Sequence, residues 1–164
     1  MKFQHTREVE QSIIEESLYL AYELNILKIS DRLSVVPASE LWRRFTAVYG
    51  TAFISRYAVY RYLRLQGWVV RSGLLYGVDF MIYRQSPRHY HSSAGVKIVL
   101  FSDGGIDTTF IGLNRELNNV RKSLIVANVE IPLNVDLTSI KCLEKILVSH
   151  LVYRYRRPEG KKIG

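Results

Sequence analysis

The segment between Gly67 and Tyr83 constrains the fold more than any other part of the chain. It holds two consecutive apolar runs, Trp68–Arg71 and Leu74–Tyr83, and the Ser-Gly pair between them supplies a sterically cheap turn. Both runs are therefore predicted to be β-strands. Because side chains alternate along a strand, the second run should have two faces, with Val78, Phe80 and Ile82 on one and Asp79, Met81 and Tyr83 on the other.

The remaining periodicity predicts helices before this segment and mostly strands after it. Helices are expected over 8–28, from a Ser39 cap onward, over Ile54–Gln66 and over 107–121. A short extended piece is expected at Leu33–Val36, and strands at Gly95–Phe101, Ser123–Val129 and Lys145–Tyr155. This order predicts an α/β (α+β) fold: a small N-terminal helical lobe over 1–66, a mixed β-sheet domain flanked by helices over 67–157, and a basic tail over 158–164.

The excess of basic residues indicates a polyanionic partner. Lys and Arg outnumber Asp and Glu by 23 to 15, which gives a formal net charge of +8. Each phosphate that a basic side chain neutralises releases a counterion and so strengthens binding. The charge alone does not distinguish RNA from DNA or from an acidic protein.

Cysteine content and hydropathy bound the cellular context. Cys142 is the single cysteine, so an internal disulfide and a cysteine-based zinc site are both excluded. No apolar run approaches the length of a membrane span, and the first residues lack the apolar core of a signal peptide. We therefore expect an intracellular chain with no membrane association.

Tyr83 and His91 form a candidate pair for proton transfer. Tyr83 ends its predicted strand, and His91 follows eight residues later, past Pro87. A phenol and an imidazole at the rim of a sheet can move protons, but an ordinary strand tyrosine and a loop histidine give the same spacing. The spacing alone leaves both interpretations open.

The helix predicted over Ile54–Gln66 interleaves tyrosines with arginines. Such a pattern fits an RNA-stacking surface or one wall of a core with hydroxyl groups at its edge. Tyrosines three and four residues apart more often form a core wall, so Tyr57 and Tyr60 are expected to pack together with Leu63 and Leu65.

One long motif runs through this helix and the first two strands of the sheet. It is Tyr57-x-x-Tyr60-Arg61-x-Leu63-Arg64-x-x-Gly67-Trp68-Val69-Val70-x-x-Gly73-x-x-Tyr76-Gly77-x-Asp79-Phe80-x-x-Tyr83, followed by Pro87 and His91-Ser92. The motif resembles the signature of the tRNA-splicing endonucleases, most of all the catalytic subunit that cuts the 5′ splice site in eukaryotes. Glu40-Leu41-Trp42-Arg43-Arg44-Phe45 is similar to the Leu-Trp-x-x-Phe run before that core. The resemblance covers roughly residues 13 to 155 and implies a small helical lobe on a sheet domain flanked by helices.

The resemblance implies a catalytic triad of Tyr83, His91 and Lys122. Tyr83 would be the general base, His91 the general acid and Lys122 the electrostatic stabiliser of a cleavage that uses the ribose 2′-OH and no metal. An imidazole suits the acid role because it titrates near neutrality, and an ammonium near a phenol would favour the phenolate. A solvated lysine at a helix end is the alternative interpretation of Lys122. The nearby His89 is expected to be a loop residue that touches RNA.

The same resemblance implies a base clamp. Arg115 matches an arginine that stacks on a flipped base of the intron bulge, at the neighbouring subunit's cut site. An ordinary surface arginine is the competing interpretation. The clamp's second member is usually a Trp or Arg near the C-terminal strand, but Leu151 stands at the Trp position here. Tyr153 or Arg154 could substitute.

The implied partners are precursor tRNA and other subunits of the endonuclease. A heterotetramer of two catalytic and two structural subunits is expected, with an archaeal-type homo-oligomer as the alternative, paired through the C-terminal strands. The nucleus is the expected location and the cytoplasm the alternative. No cofactor and no metal are expected.

Three other functions are alternatives to this one. A metal nuclease needs clustered carboxylates, yet the only Glu-x-Lys is Glu159-Gly160-Lys161, in the predicted tail, and Asp79 has no acidic companion along its strand. A non-catalytic structural or RNA-binding subunit of the same complex generally lacks the intact triad. A free-standing basic RNA-binding module would bind RNA and leave it intact.

Overall fold

The computed structural model describes residues 13–31, 34–100 and 108–154. Three helices are present there: α1 over residues 13–22, α2 over Ala38–Leu65 and α3 over Thr108–Asn119. The strands are β1 (Ile29–Asp31), β2 (Ser34–Val36), β3 (Val69–Ser72), β4 (Phe80–Tyr83), β5 (Ala94–Leu100), β6 (Ser123–Glu130) and β7 (Leu147–Tyr153). Within these residues, every helix is too short or too polar to cross a lipid bilayer.

A five-stranded mixed sheet forms the centre of the molecule. Its strand order is β3-β4-β5-β6-β7, and only β5 and β6 are parallel. Parallel neighbours need a crossover connection, and α3 lies in the chain between these two strands. A small antiparallel hairpin, β1-β2, precedes α2. The expected mixed α+β architecture is confirmed.

The two faces of the sheet bury separate sets of side chains. Phe80 and Ile82 of β4 belong to a large core with α1 and α2, which we call the α2 face. Met81, the residue between them, belongs to a smaller core with Leu117 of α3, which we call the α3 face. Because both faces are covered, β4 reads as a continuous apolar run. The large core joins the helical lobe to the sheet, while the predicted division at residue 66 stays a prediction.

Helix α2 corresponds to the two helices expected before the sheet. It is interrupted at Gly50, whose φ of 64° and ψ of −152° lie outside the helical range, a conformation that glycine adopts at little cost. The Ser39 cap is wrong: Pro37 is the N-cap, and Ser39 lies inside the first turn. Proline at a helix entrance fixes φ and has no N–H that needs a partner.

The predicted strand over Leu74–Tyr83 is wrong in its first half. Leu74–Tyr76 forms a 3₁₀ turn that ends at Gly77 with φ 69°, and the extended conformation begins only at Phe80. A positive φ breaks the pleat, so the alternation cannot be extrapolated through it. Val78 therefore packs on the α3 face with Met81, not on the α2 face with Phe80.

The tyrosines of α2 face the core, so the RNA-stacking interpretation of Tyr57 and Tyr60 is wrong. Both are almost fully buried, as is Leu63, and burial raises the pKa of each of the two phenols. The expected packing of Leu65 is also wrong, since this side chain is 57% exposed.

Several sequence-based expectations fall outside the described residues. These are the helix before residue 13, a turn over Ser102–Gly105, the ends of two strands at Phe101 and Tyr155, and the basic tail over 158–164.

A buried ionic network connects α1, α2 and the sheet. Arg56 of α2 donates from Nε to Glu15 Oε1 of α1 at 2.6 Å, and its Nη1 lies 3.4 Å from Asp79 Oδ1. Asp79 also accepts the backbone N–H of Ile98 at 2.8 Å and pairs with Lys97 at 3.2 Å. Burial raises the pKa of the fully buried Glu15 carboxyl to about 7, against the opposing pull of Arg56.

Candidate active site

One end of the sheet collects the residues that the sequence singles out. Ile82 of β4 is paired with Ala94 of β5, and Ala94 is paired with Ser123 of β6. The backbone N–H of Ser93 donates to Ile82 O at 2.7 Å. Tyr83 therefore ends β4 at the same end of the sheet at which β5 and β6 begin. Neighbouring strands are about 4.8 Å apart, so the three chain segments lie side by side.

Tyr83 faces the α3 side of the sheet. It is half-buried, lies opposite Val69 of β3 and packs against the small core around Leu117 and Leu124. Burying part of the ring fixes its direction because a strand side chain stands perpendicular to the sheet. The Tyr83 ring therefore packs against this core, and its backbone lies at the end of β4.

Lys122 reaches its position through an unusual end to α3. Arg121 has φ 57°, its N–H donates to Asn118 O at 2.9 Å, and the Lys122 N–H donates to Leu117 O at 2.9 Å. This is the Schellman pattern, which usually has glycine at the left-handed position. The chain turns there into β6, and the Lys122 ammonium donates to Ser92 O at 3.3 Å.

This geometry corrects two sequence-based expectations. Helix α3 ends at Asn119, not at residue 121, so Lys122 lies outside the helix. The view of Lys122 as a solvated lysine is also wrong, because its side chain is half-buried and bonded to the Ser92 carbonyl.

His91 lies in the exposed loop between β4 and β5. The loop is shaped by a turn in which Ser86 O accepts the N–H groups of His89 and Tyr90, at 3.1 and 3.2 Å. Both His89 and His91 are exposed. His91 directly precedes Ser92, whose carbonyl binds Lys122, so the backbone next to His91 is attached to this lysine. His89 has no such link.

The three clamp candidates do not all lie on the same face of the sheet. Arg115 is exposed on α3. Tyr153 ends β7 opposite Leu124 and packs on the α3 face beside the same core as Tyr83. Arg154 follows it and lines a pocket on the α2 face. Tyr153 is therefore the candidate that shares a face with the helix carrying Arg115.

Metal binding has no obvious location in the described part of the chain. There, no three His, Cys, Asp or Glu side chains are grouped closely enough to hold an ion. Asp79, which a metal nuclease would use, is bonded to Arg56, Lys97 and a backbone N–H.

Sequence reasoning missed the supporting residues of this site. The carbonyl of Ser92 holds Lys122, and a backbone atom has no sequence signal. The left-handed Arg121 directs Lys122 out of the helix, and nothing in the residue type marks it, since glycine is the usual signal for that conformation.

Comparison with known proteins agrees with the long motif. Residues 53–137 match the model of the tRNA intron endonuclease catalytic C-terminal domain. The chain is 35% identical over 153 residues to tRNA-splicing endonuclease subunit Sen2 of Rattus norvegicus, which covers 87% of this chain and 33% of that protein. It is 34% identical to subunit Sen2-1 of Arabidopsis thaliana, over 91% of this chain and 65% of that protein.

A shorter archaeal protein shows the same likeness. The tRNA-splicing endonuclease of Saccharolobus islandicus is 32% identical over 124 residues, which is 76% of this chain and 67% of the archaeal protein. The chain spans about a third of the length of the rodent relatives that it matches. With the family model matched over residues 53–137 and Tyr83, Ser92 and Lys122 gathered at one end of its sheet, this chain belongs to the tRNA intron endonuclease family.

Proposed function

We propose that this chain is a catalytic subunit that cleaves precursor tRNA at an intron splice site without a metal ion. The observation that carries the proposal is that these residues lie at one end of the sheet. Tyr83 ends β4 and Lys122 precedes β6, and the Lys122 ammonium is 3.3 Å from the carbonyl of the residue after His91. A base, an acid and a cation within one small area are what 2′-OH transesterification requires.

The reaction follows from these three groups. Tyr83, as the phenolate, takes the proton of a ribose 2′-OH, and the 2′-oxygen forms a bond to the adjacent phosphorus. The bond from phosphorus to the 5′-oxygen breaks, and His91, as the imidazolium, gives that oxygen a proton. The products are a 2′,3′-cyclic phosphate and a 5′-OH. Side chains supply the proton removal, the proton donation and the charge stabilisation, so no step depends on a metal ion.

Lys122 would stabilise the extra negative charge on the phosphoryl oxygens. An ammonium has three N–H donors, and the Ser92 carbonyl takes one of them. The other two can bind phosphate oxygens while the first holds the ammonium in place. A preorganised donor costs no reorganisation during the reaction, which makes it more effective than a mobile surface lysine.

The substrate is proposed to be recognised by shape and charge. The net charge of +8 favours a polyanion, and the named relatives are tRNA-splicing endonucleases. Arg115, exposed on α3, is proposed to stack on an unpaired base as one half of a clamp. Tyr153 is the better placed of the two candidates for the other half, because it lies on the α3 face.

Strand β7 is proposed as the interface with another subunit. It is the last strand of the five-stranded sheet, and it carries the exposed apolar side chains Leu147, Leu151 and Val152. The free edge of such a strand invites pairing. A partner's strand would cover it in a heterotetramer or, alternatively, a homo-oligomer. The 5′ splice site and a nuclear location, with the cytoplasm as the alternative, are the further expectations carried by the resemblance to the eukaryotic subunit.

The test is cleavage of an intron-containing precursor tRNA by the chain copurified with its native partners, in excess EDTA. We expect cleavage with cyclic phosphate and 5′-OH ends, and a rate about a hundredfold lower for Tyr83→Phe. Tyr90→Phe, in the exposed loop, is the matched control and should cleave normally. Binding of precursor tRNA without cleavage would overturn the proposal in favour of a non-catalytic subunit. Activity that EDTA abolishes and magnesium restores would indicate a metal nuclease.

A further inference from the structure

A pocket of about 360 Å³ opens on the α2 face at the same end of the sheet as the triad. Its floor is made by apolar residues of four adjacent strands, Ile82, Ala94, Ile125 and Val152. Its walls are the end of α2, with Leu63 and Gln66, and the ring of Trp68. Its rim carries Arg84, Arg154, His150, Ser93 and Ser123. The volume is within the range of pockets that hold small ligands.

The chemistry of the pocket combines an apolar slot with a cationic mouth. The Arg84 guanidinium lies 5.9 Å from the centre of the Trp68 ring, so an aromatic face and a planar cation stand together at the opening. No Asp or Glu lines the pocket. Among the described residues, no carboxylate lies within ion-pair distance of Arg84 or Arg154, whereas six other basic side chains, from Arg43 to Lys97, do have such partners.

One polar group of the rim is already fixed in orientation. His150 accepts or donates at Nδ1 to the hydroxyl of Tyr62, at 2.8 Å. This bond joins β7 to α2 across the pocket wall. The hydroxyls of Ser93 and Ser123 remain at the opening as small donors and acceptors. Such a site offers stacking, hydrogen bonding and anion binding together, which is the combination that unpaired nucleotides require.

The position of the pocket relates it directly to the triad. The strands that form its floor send alternate residues to the two faces of the sheet. Ile82 and Ser123 line the pocket, while Tyr83, the neighbour of Ile82, packs on the α3 face and Lys122, the neighbour of Ser123, binds the Ser92 carbonyl. A strand of RNA bound at the triad can therefore reach the pocket by passing around this end of the sheet, from one face to the other.

We infer that this pocket binds one unpaired nucleotide of the RNA, next to the nucleotide that is cleaved. The base enters the slot beside Trp68, and Arg84 and Arg154 bind the phosphates at the mouth. This inference rests on the proposed function for the identity of the polymer. It assigns Arg154 to a site on the α2 face, separate from the clamp proposed for Arg115.

The test measures binding of a probe that cannot be cleaved. The probe is a 2′-O-methyl uridylate hexamer, which lacks the nucleophilic hydroxyl, and the signal is tryptophan fluorescence of the full chain. Of the two tryptophans, Trp42 is fully buried, so quenching by the probe reports Trp68. We expect saturable quenching, and no quenching by a hexamer of abasic sugar phosphates.

The arginine variants are compared at equal charge. The double variant Arg84→Ala with Arg154→Ala should weaken binding of the hexamer by about tenfold or more. It removes the guanidinium that lies beside the Trp68 ring and the contacts of both arginines with the phosphates. Arg43→Ala with Arg88→Ala removes the same charge from exposed arginines outside the pocket and should change affinity by about twofold or less. Ser93→Leu, which fills the opening without altering charge, should also weaken binding by about tenfold, so the test does not depend on one variant.

Three results would overturn the inference. Equal losses in the two double variants would mean that only general charge attracts the hexamer. Quenching by the abasic probe would mean that no base enters the slot. Quenching by a hexaglutamate peptide but not by the hexamer would make the pocket a site for an acidic protein segment. Because the probe cannot be cleaved, these results are independent of whether the chain cuts precursor tRNA.

Discussion

The Lys122 ammonium donates a hydrogen bond to the Ser92 carbonyl across 3.3 Å. The two residues are 30 positions apart in the chain. Ser92 lies close to the start of β5 and Lys122 directly before β6, and these two strands are parallel. The bond fixes the loop that carries His91 against the cation proposed to stabilise the transition state. Lys122 thus has a structural partner and two remaining donors, which makes its removal the most informative test of the site.

Replacing Lys122 tests both the cation and its attachment. Lys122→Ala should slow single-turnover cleavage of precursor tRNA by about a hundredfold or more, because a preorganised positive charge is lost. Lys122→Arg keeps the charge and should retain more activity than the alanine variant. Lys141→Ala, an exposed lysine away from the site, is the control and should cleave normally. A Lys122→Ala complex that is folded and cleaves at the normal rate would contradict the assignment.

The two loop histidines should differ sharply. His91→Ala should lower the cleavage rate by about a hundredfold, because the departing 5′-oxygen loses its acid, while RNA binding measured by filter retention stays near normal. His89→Ala, two residues away and equally exposed, should change the cleavage rate by less than about fivefold. The reverse order of effects would transfer the acid role to His89.

Arg121→Gly should stabilise the protein. The left-handed conformation costs a side-chain-bearing residue about 1 kcal/mol, and glycine adopts it without that cost. We expect the free energy of unfolding to rise by about 0.5–1 kcal/mol in urea denaturation. Arg115→Gly, in the exposed middle of α3, should instead lower it by about 1 kcal/mol. Effects of the same sign in both variants would contradict the conformation of Arg121.

The buried Glu15 should make stability depend on pH. Its pKa is raised to about 7 in the folded chain, from a usual value of 4.5, so between these values the folded state binds more protons than the unfolded state. The free energy of unfolding should therefore fall as pH rises through this window, by up to about 3 kcal/mol.

Glu15→Gln isolates this contribution. The amide cannot titrate, so the difference between variant and parent stability should change across the window from about pH 4.5 to 7 and stay constant above it. Arg56, Asp79 and Lys97, which form the rest of the network, are present in both proteins. A pH profile of the variant parallel to that of the parent would assign the dependence to other groups.

Leu151→Lys should weaken assembly more than folding. Leu151 is 53% exposed on the outermost strand of the sheet, so a charge there costs little in the isolated chain but opposes pairing with another strand. Sedimentation should show smaller species with an unchanged thermal midpoint. Ile111→Lys, 63% exposed on α3, is the control for an added lysine outside the edge. Identical sedimentation of parent and Leu151→Lys would count against the β7 interface.

The sequence by itself determined the element types and the family. The apolar periodicity of β4, β5 and β6 and of the helices is a local property, since it depends only on residues a few positions apart. The long motif ending at Tyr83 and His91-Ser92 led to the proposed roles of Tyr83 and His91, and the family resemblance implied that of Lys122. The sequence-based predictions failed where a single backbone conformation interrupted a pattern. The positive φ of Gly77 keeps the residues before Phe80 out of the strand, and the left-handed Arg121 ends α3 before Lys122.

Only the tertiary structure decided how these residues meet. The parallel pairing of β5 with β6 brings Lys122 to Ser92, and pairing between strands far apart in the chain leaves no periodic signal in either strand. The same holds for the ionic network of Glu15, Arg56 and Asp79 and for the pocket beside Trp68. These features depend on which face of the sheet each helix covers, and that choice is made by burial of apolar surface across the whole chain.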